Sequence, residues 1–317
     1  MSPGQAGRSC PLHYRYRPEL LCQAPESWPD DVLYVIGGLY GNPFALDAIE
    51  AMAAEERAAG RSVRLLFNGD FNWFNASAPW FADINRRVLR YDASLGNVEL
   101  ELASPSSDAG CGCGYPDFVE DGVVARSNQI IQRLQQQAHA HPEIQRQLKA
   151  LPRWRCMIFG GLKILVLHGD PESLAGWGLS RERLARQGAG QLAHWFRQTG
   201  ADLILCSHTC LPLMWSGQVD GRSCGLINNG AAGLANLAGD HRGLVVRLAA
   251  SGPSVAPLVG LQAGVLSAAL VPVDFALDDW LALFDRLWPA GSAAAVSYRS
   301  RVRSGTALAP DEIRMSC

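Results

Sequence analysis

Short, unbroken apolar runs recur along the chain, and several end abruptly at Gly, Asn, Asp or His. Residues 32–36 (Val-Leu-Tyr-Val-Ile), 63–67, 162–167 and 202–206 form such runs. Their length and lack of polar alternation predict strands buried on both faces. Between the first two, Ala45 to Ala59 has the spacing of an amphipathic helix, with Pro43 at its start and Gly60 at its end. Strand, helix and strand in this order predict a β-α-β unit of a layered α/β fold. Further helices are predicted over 79–91, 121–150 (broken near Pro142), 180–199 (capped by Ser180, closed by Gly200) and 275–288. Shorter strands near 213–219, 223–228 and 243–248 read as antiparallel.

The organisation read from this pattern is an irregular N-terminal arm at 1–30 and a core domain at 31–250. A helical insertion occupies 105–155, and a helical extension at 251–317 carries Arg299, Arg301 and Arg303, read as a solvated face, with contact to a phosphate or a partner as the alternative. Apolar residues make up 48% of the 317 residues and charged residues 18%, which is ordinary globular composition. A formal net charge of −2 supplies no basic field, so no nucleic-acid partner is indicated. No apolar run reaches membrane-spanning length, and the first residues lack the apolar core of a signal peptide. Nine cysteines at irregular spacing do not form a secreted disulfide pattern. A cytoplasmic compartment with free or metal-bound thiols is expected.

The polar residues at the run ends carry the chemistry. Asp70 follows the strand at 63–67, Asn97 follows Gly96, His168 ends the strand at 162–167, and His208 follows the strand at 202–206. In open α/β sheets, chemistry gathers beyond the carboxyl ends of the strands. Each residue alone reads equally as a turn or surface group. Together they offer a carboxylate, an amide oxygen and two imidazoles, a donor set suited to Mn, Fe or Zn.

In this order the chain resembles the calcineurin-like metallophosphoesterases. That family reads Asp-x-His, Gly-Asp, Gly-Asn-His, a strand-end His, then Gly-His-x-His. The matching stretches are Gly38-Leu39-Tyr40-Gly41-Asn42, Gly69-Asp70, Gly96-Asn97-Val98-Glu99, His168-Gly169 and Ser207-His208-Thr209-Cys210. The segment Asn228-Asn229-Gly230-Ala231 resembles the stretch that follows the last motif. The resemblance covers about 32–248. It implies a sandwich of two β-sheets flanked by helices, with Asp70, His168 and His208 catalytic and Asp70, Asn97, His168 and His208 holding a metal. It also implies hydrolysis of a small phosphorylated substrate by a metal-activated water, with one or two divalent ions.

The departures from the family pattern are specific. Where the family has the ligands of its other metal, this chain has Gly38, Tyr40 and Cys210, with Asp70 shared. Where the family has the histidine that assists the leaving group, it has Val98. Loss of one general acid costs about 10²–10⁴ in rate. A non-catalytic descendant that binds a ligand, a metal or a protein partner is therefore the alternative. A second site rebuilt from Tyr40, Cys210, Cys111 and Cys113 is also open, because a bound cation deprotonates a coordinating thiol. A disulfide between Cys111 and Cys113 is disfavoured if the two sit as neighbours on one strand. Asn42, Asn72 and Trp73 are the candidate pocket residues.

Overall fold

The computed structural model describes residues 6–8, 11–106, 108–253 and 255–315. Its strands are β1 (Glu26–Ser27), β2 (Val32–Ile36), β3 (Val63–Asn68), β4 (Asp92–Ser94), β5 (Trp154–Phe159), β6 (Leu162–Leu167), β7 (Leu203–Cys206), β8 (Pro212–Val219), β9 (Arg222–Asn229), β10 (Gly243–Ala249), β11 (Val259–Ala263) and β12 (Leu266–Val273). Its helices are α1 (Pro43–Ala58), α2 (Ala78–Val88), α3 (Asn97–Ala103), α4 (Asp121–His139), α5 (Pro142–Lys149), α6 (Arg181–Gln187), α7 (Ala189–Thr199), α8 (Leu277–Leu287) and α9 (Ala293–Ser304). The strands form two six-stranded sheets, ordered β1-β5-β6-β7-β9-β8 and β11-β12-β10-β2-β3-β4. This is the expected α/β sandwich. No helix among the described residues is long and apolar enough to cross a membrane.

Strand periodicity explains the layering. Leu33 and Val35 of β2 and Leu66 of β3 pack against Ile164 and Val166 of β6 and Leu203 and Leu205 of β7 between the sheets. The alternate residues Val32, Tyr34, Ile36, Leu65 and Phe67 face the helices on one outer side. Leu165, Leu167, Ile204 and Cys206 face those on the other. Successive side chains of a strand point to opposite faces, so strands covered on both faces are apolar throughout. Strands β2, β3 and β4 are mutually parallel, as are β6, β7 and β9. Asn68 joins the two sets: its Nδ2 donates to the Leu167 carbonyl at 2.7 Å, and its own carbonyl accepts from Ser207 Oγ at 3.0 Å. The ends of β3, β6 and β7 therefore meet.

Three segments differ from the sequence expectation. Residues 251–317 are not purely helical: β11 and β12 extend the second sheet beside β10 before α8 and α9 begin. Pro272 argues against a strand, but β11 reaches only as far as Leu270, so the missing N–H of Pro272 has no ladder partner to lose. The insertion ends before β5, which pairs with β6 across Gly160-Gly161, both at positive φ. A Gly-Gly pair between two apolar runs is a hairpin signal that would have located β5. The helix expected at 180–199 is two helices, broken at Gly188 (φ 62°).

Behind the second sheet lies a buried charge cluster. Glu56 of α1 accepts from Arg247 Nε of β10 at 2.8 Å and from Tyr34 Oη at 3.2 Å, and it pairs with Arg61. Burial opposes the Glu56 charge, but the two arginines outweigh it and hold the carboxyl below its ordinary value of 4.5. Removing one partner of a buried ion pair costs about 3–5 kcal/mol. Glu56→Ala should lower the unfolding free energy by about that amount, whereas Arg61→Ala, whose side chain is 28% exposed, should cost about 1 kcal/mol or less; urea melts of the three proteins check this. A group with a depressed folded pKa contributes above its unfolded value and loses that contribution as pH falls through the folded one. The gap between wild type and Glu56→Gln should therefore close on acidification below pH 4.5.

Candidate metal centre

The site begins where β3 stops. Gly69 (φ 76°) and Asp70 (φ 54°) are both in the left-handed region and turn the chain sharply past Asn68. A Cβ on Gly69 would lie 2.5 Å from the Gly96 backbone and 2.7 Å from His168 Nδ1, so only glycine fits. The loops after β3, β4 and β6 touch at this point. Glu99 ties the first two together: its carboxylate accepts from the backbone N–H groups of Asp70 (2.6 Å), Asn72 (3.1 Å) and Gly96 (3.2 Å). Asn97 is not a strand end but the first residue of α3.

Asp70, Asn97, His168 and His208 converge, and all four are buried. His168 Nε2 lies 3.1 Å from Asn97 Oδ1, 3.1 Å from His208 Nδ1 and 3.4 Å from Asp70 Oδ2. The outward-facing atoms of three of these residues are already used. His168 Nδ1 meets the Asn68 carbonyl at 3.0 Å, His208 Nε2 meets the Cys113 carbonyl at 2.9 Å, and Asn97 Nδ2 donates to the Cys111 carbonyl at 2.9 Å. A carbonyl accepts only, so each of those ring nitrogens carries a proton, and the other ring nitrogen of each is turned to the shared centre. A carboxylate, an amide oxygen and two imidazole nitrogens thus face one another, a donor set that suits a cation. For bonds of about 2.1 Å to a metal, neighbouring ligand atoms stand about 3.0–3.4 Å apart, which matches the observed spacing. A backbone carbonyl on the far nitrogen is also the usual way a ligating imidazole is oriented.

The electrostatics favour a positive charge at this point. Burial works against charge on His168, but Asp70 outweighs it and raises the imidazole pKa. Burial likewise opposes the Asp70 charge, and His168 and His208 outweigh it and lower the carboxyl. Burial and then the neighbouring His168 push His208 down to about 4, which keeps it neutral.

Beside this cluster is a cavity of about 170 Å³. Asp70, Asn97 and His208 form its floor, Trp73, Tyr115, Trp177 and Tyr298 its aromatic walls, and Val98, Tyr40, Cys210 and Arg301 line the remainder. Tyr40 Oη and Cys210 Sγ are hydrogen-bonded to each other at 2.5 Å. Burial raises the Tyr40 hydroxyl well above its ordinary pKa, and it pushes Cys210 to about 11 although Arg301 opposes this.

No protein-family model matches the chain, and no curated protein matches it in sequence. Solved structures do match. A metallophosphoesterase from Sphaerobacter thermophilus superposes with a TM-score of 0.52 at 19% identity, over 87% of this chain and 99% of that one. A hypothetical protein from Pyrococcus horikoshii OT3 superposes with a TM-score of 0.58 at 14% identity, over 89% of this chain and 100% of that one. The chain has the metallophosphoesterase fold.

Against the metallophosphoesterase pattern, the candidate ligands part into two groups. Asp70, Asn97, His168 and His208 come together. Gly38, Tyr40 and Cys210 offer no anion: one has no side chain, and the other two are neutral and bonded to each other. Cys111 and Cys113, expected as free or metal-bound thiols, are joined as a disulfide. They are not strand neighbours. Positive φ at Gly110, Gly112 and Gly114 coils the loop, and the two Cα atoms lie 5.3 Å apart, within disulfide reach. The loop instead serves through its carbonyls, which hold Asn97 and His208. Of the pocket candidates, only Trp73 lines the cavity. Asn42 caps α1 through the N–H groups of Phe44 and Ala45, and Asn72 is bonded to Asn75, Asn85 and Glu99, so both carboxamides are saturated.

Arg301 lines the cavity, although the solvated face was the preferred reading of its cluster over contact with a phosphate or a partner. On α9 it stands three residues after Tyr298, and residues three apart share a helix face. An aromatic at that spacing was the available signal. Gly69→Ala should disrupt the centre and lower metal affinity at least about tenfold, as outer-shell changes commonly do. Gly60→Ala, also at positive φ but in open space, should leave metal affinity unchanged at a stability cost of about 1–2 kcal/mol. Metal titrations of both variants check the contrast.

Proposed function

We propose that this protein hydrolyses a phosphoester of a small molecule with one divalent metal ion, held by Asp70, Asn97, His168 and His208. The observation that carries the reading is the convergence of four buried lone-pair donors whose other polar atoms are already bonded. Carboxylate, amide and imidazole ligands suit Mn, Fe or Zn. Such an ion supplies Lewis-acid polarisation of the phosphoryl group and lowers the pKa of a water.

The chain's own residues supply the remainder. Asp70 brings the single carboxylate to the centre, and its Oδ1 accepts from the Val98 N–H at 3.3 Å, which fixes the carboxylate plane. His168 and His208 are held in one tautomer each, so neither is free to move a proton. Because Gly38 has no side chain and Tyr40 and Cys210 are bonded to each other, the reading assigns one ion rather than the symmetric two-metal clamp that serves many phosphoesterases.

A second reading has its own support. Val98 neither donates nor accepts a proton through its side chain, so turnover of esters with poor leaving groups should be slow. A protein that keeps the metal as part of a binding pocket fits the same loss. Elemental analysis and turnover of p-nitrophenyl phosphate separate the two. The hydrolase reading predicts about one metal per chain and metal-dependent turnover, with both abolished in His168→Ala and His208→Ala. Metal without turnover would favour the binding protein. Unchanged metal content in both variants would sink the ligand assignment.

A further inference from the structure

The cavity holds one cationic side chain that the preceding reading leaves unused. Arg301 extends from α9 to the place where Tyr40 and Cys210 stand in lieu of a second metal's ligands. Two of its nitrogens are anchored: Nη2 donates to the Cys210 carbonyl at 2.6 Å and Nε to the Ala235 carbonyl at 3.2 Å. Among the described residues no carboxylate pairs with it, whereas its neighbour Arg299 is paired with Asp285 at 2.7 Å. Its Nη1 has no hydrogen-bond partner among the described residues. An arginine fixed at two nitrogens, with a third left over at the edge of a cavity, is preorganised for an oxyanion.

The rest of the cavity restricts what that oxyanion is attached to. Trp73, Tyr115, Trp177 and Tyr298 offer planar apolar surface. A volume of about 170 Å³ is close to the roughly 150 Å³ that suffices for benzene in a dry pocket. The cavity itself has room for about one ring. Val98 stands where an acid would protonate the departing oxygen, and the Tyr40 and Tyr115 hydroxyls are bonded to Cys210 and Ser127. Esters whose leaving group departs unprotonated are therefore favoured. A phenol, with a pKa of about 10, does so far more readily than an alcohol, which lies near the 15.7 of water.

We infer that Arg301 binds the phosphoryl group in place of a second metal, and that the cavity selects small single-ring aryl phosphomonoesters. The inference rests on the hydrolase reading for its reaction but not for its binding. In that reaction the oxygen of water bonds to phosphorus as the ester P–O bond breaks. The electron pair of that bond leaves on the phenolate oxygen, and the proton of the water passes to solvent.

The test uses the full chain loaded with Mn(II), with phenylphosphonate and methylphosphonate as non-hydrolysable probes in calorimetric titration. Phenylphosphonate should bind at least about tenfold more tightly than methylphosphonate, as burial of a ring requires. Arg301→Gln should weaken phenylphosphonate about tenfold or more, because a charge-assisted hydrogen bond is lost, with metal content unchanged. Arg301→Lys should recover most of that affinity. A loss in the Lys variant as large as in the Gln variant would mean that the position only anchors the loop, and would overturn the proposal. So would phenylphosphonate binding unaffected in Arg301→Gln, or equal binding of the two phosphonates. In turnover, phenyl phosphate should outpace benzyl phosphate by about 10² or more, the value of a missing acid; equal rates would overturn the aryl assignment. No turnover of any ester, with phenylphosphonate still bound through Arg301, would sink the hydrolase reading while supporting the binding site.

Discussion

A buried carboxylate beside an amide oxygen and two imidazoles favours something positive among them. The protein fixes this arrangement: carbonyls from Asn68, Cys111 and Cys113 hold His168, Asn97 and His208 by their far sides, which sets how each faces the centre. Those carbonyls belong to a strand end and to a coiled loop, and the strand end is itself fixed where Asn68 joins the two sheets. The sandwich, the glycine turns and the insertion loop can thus be read as supports for one electrostatic constraint.

The same logic explains the other half of the pocket. A second cation at the Tyr40 and Cys210 positions would need anionic ligands, and burial raises the pKa of both groups, which works against that. Arg301 brings a permanent charge there without needing a ligand set, because a guanidinium remains protonated at any ordinary pH. Replacement of a metal by an arginine gives up water activation at that position and keeps charge neutralisation. Val98 gives up acid assistance as well. Both losses push the chemistry toward substrates whose leaving groups need little help.

Much of this was legible in the residues. The continuous apolar runs located β2, β3, β6 and β7, because strands buried on both faces have no alternation to hide. The Asp, Asn and His residues at the run ends stood out because they interrupt those runs. What escaped detection depends on tertiary contact. β12 was absorbed into an extension read as helical, and its Pro272 is harmless only because β11 stops short of it. Asn42 and Asn72 looked like pocket residues because sequence does not reveal that their amides are already bonded. Cys111 and Cys113 looked like free thiols because three glycines at positive φ bend their loop. Arg301 looked solvated because its neighbours Arg299 and Arg303 dominate the local charge, and only the placement of α9 turns it inward.

The central claim is one metal beside one arginine. Anomalous diffraction from crystals of the Mn- or Zn-loaded protein tests it most directly. The account predicts a single peak about 2.0–2.2 Å from Asp70, Asn97, His168 and His208, with no second peak between Asp70 and Cys210. Two peaks about 3.5–4 Å apart, the spacing of a two-metal clamp, would contradict it.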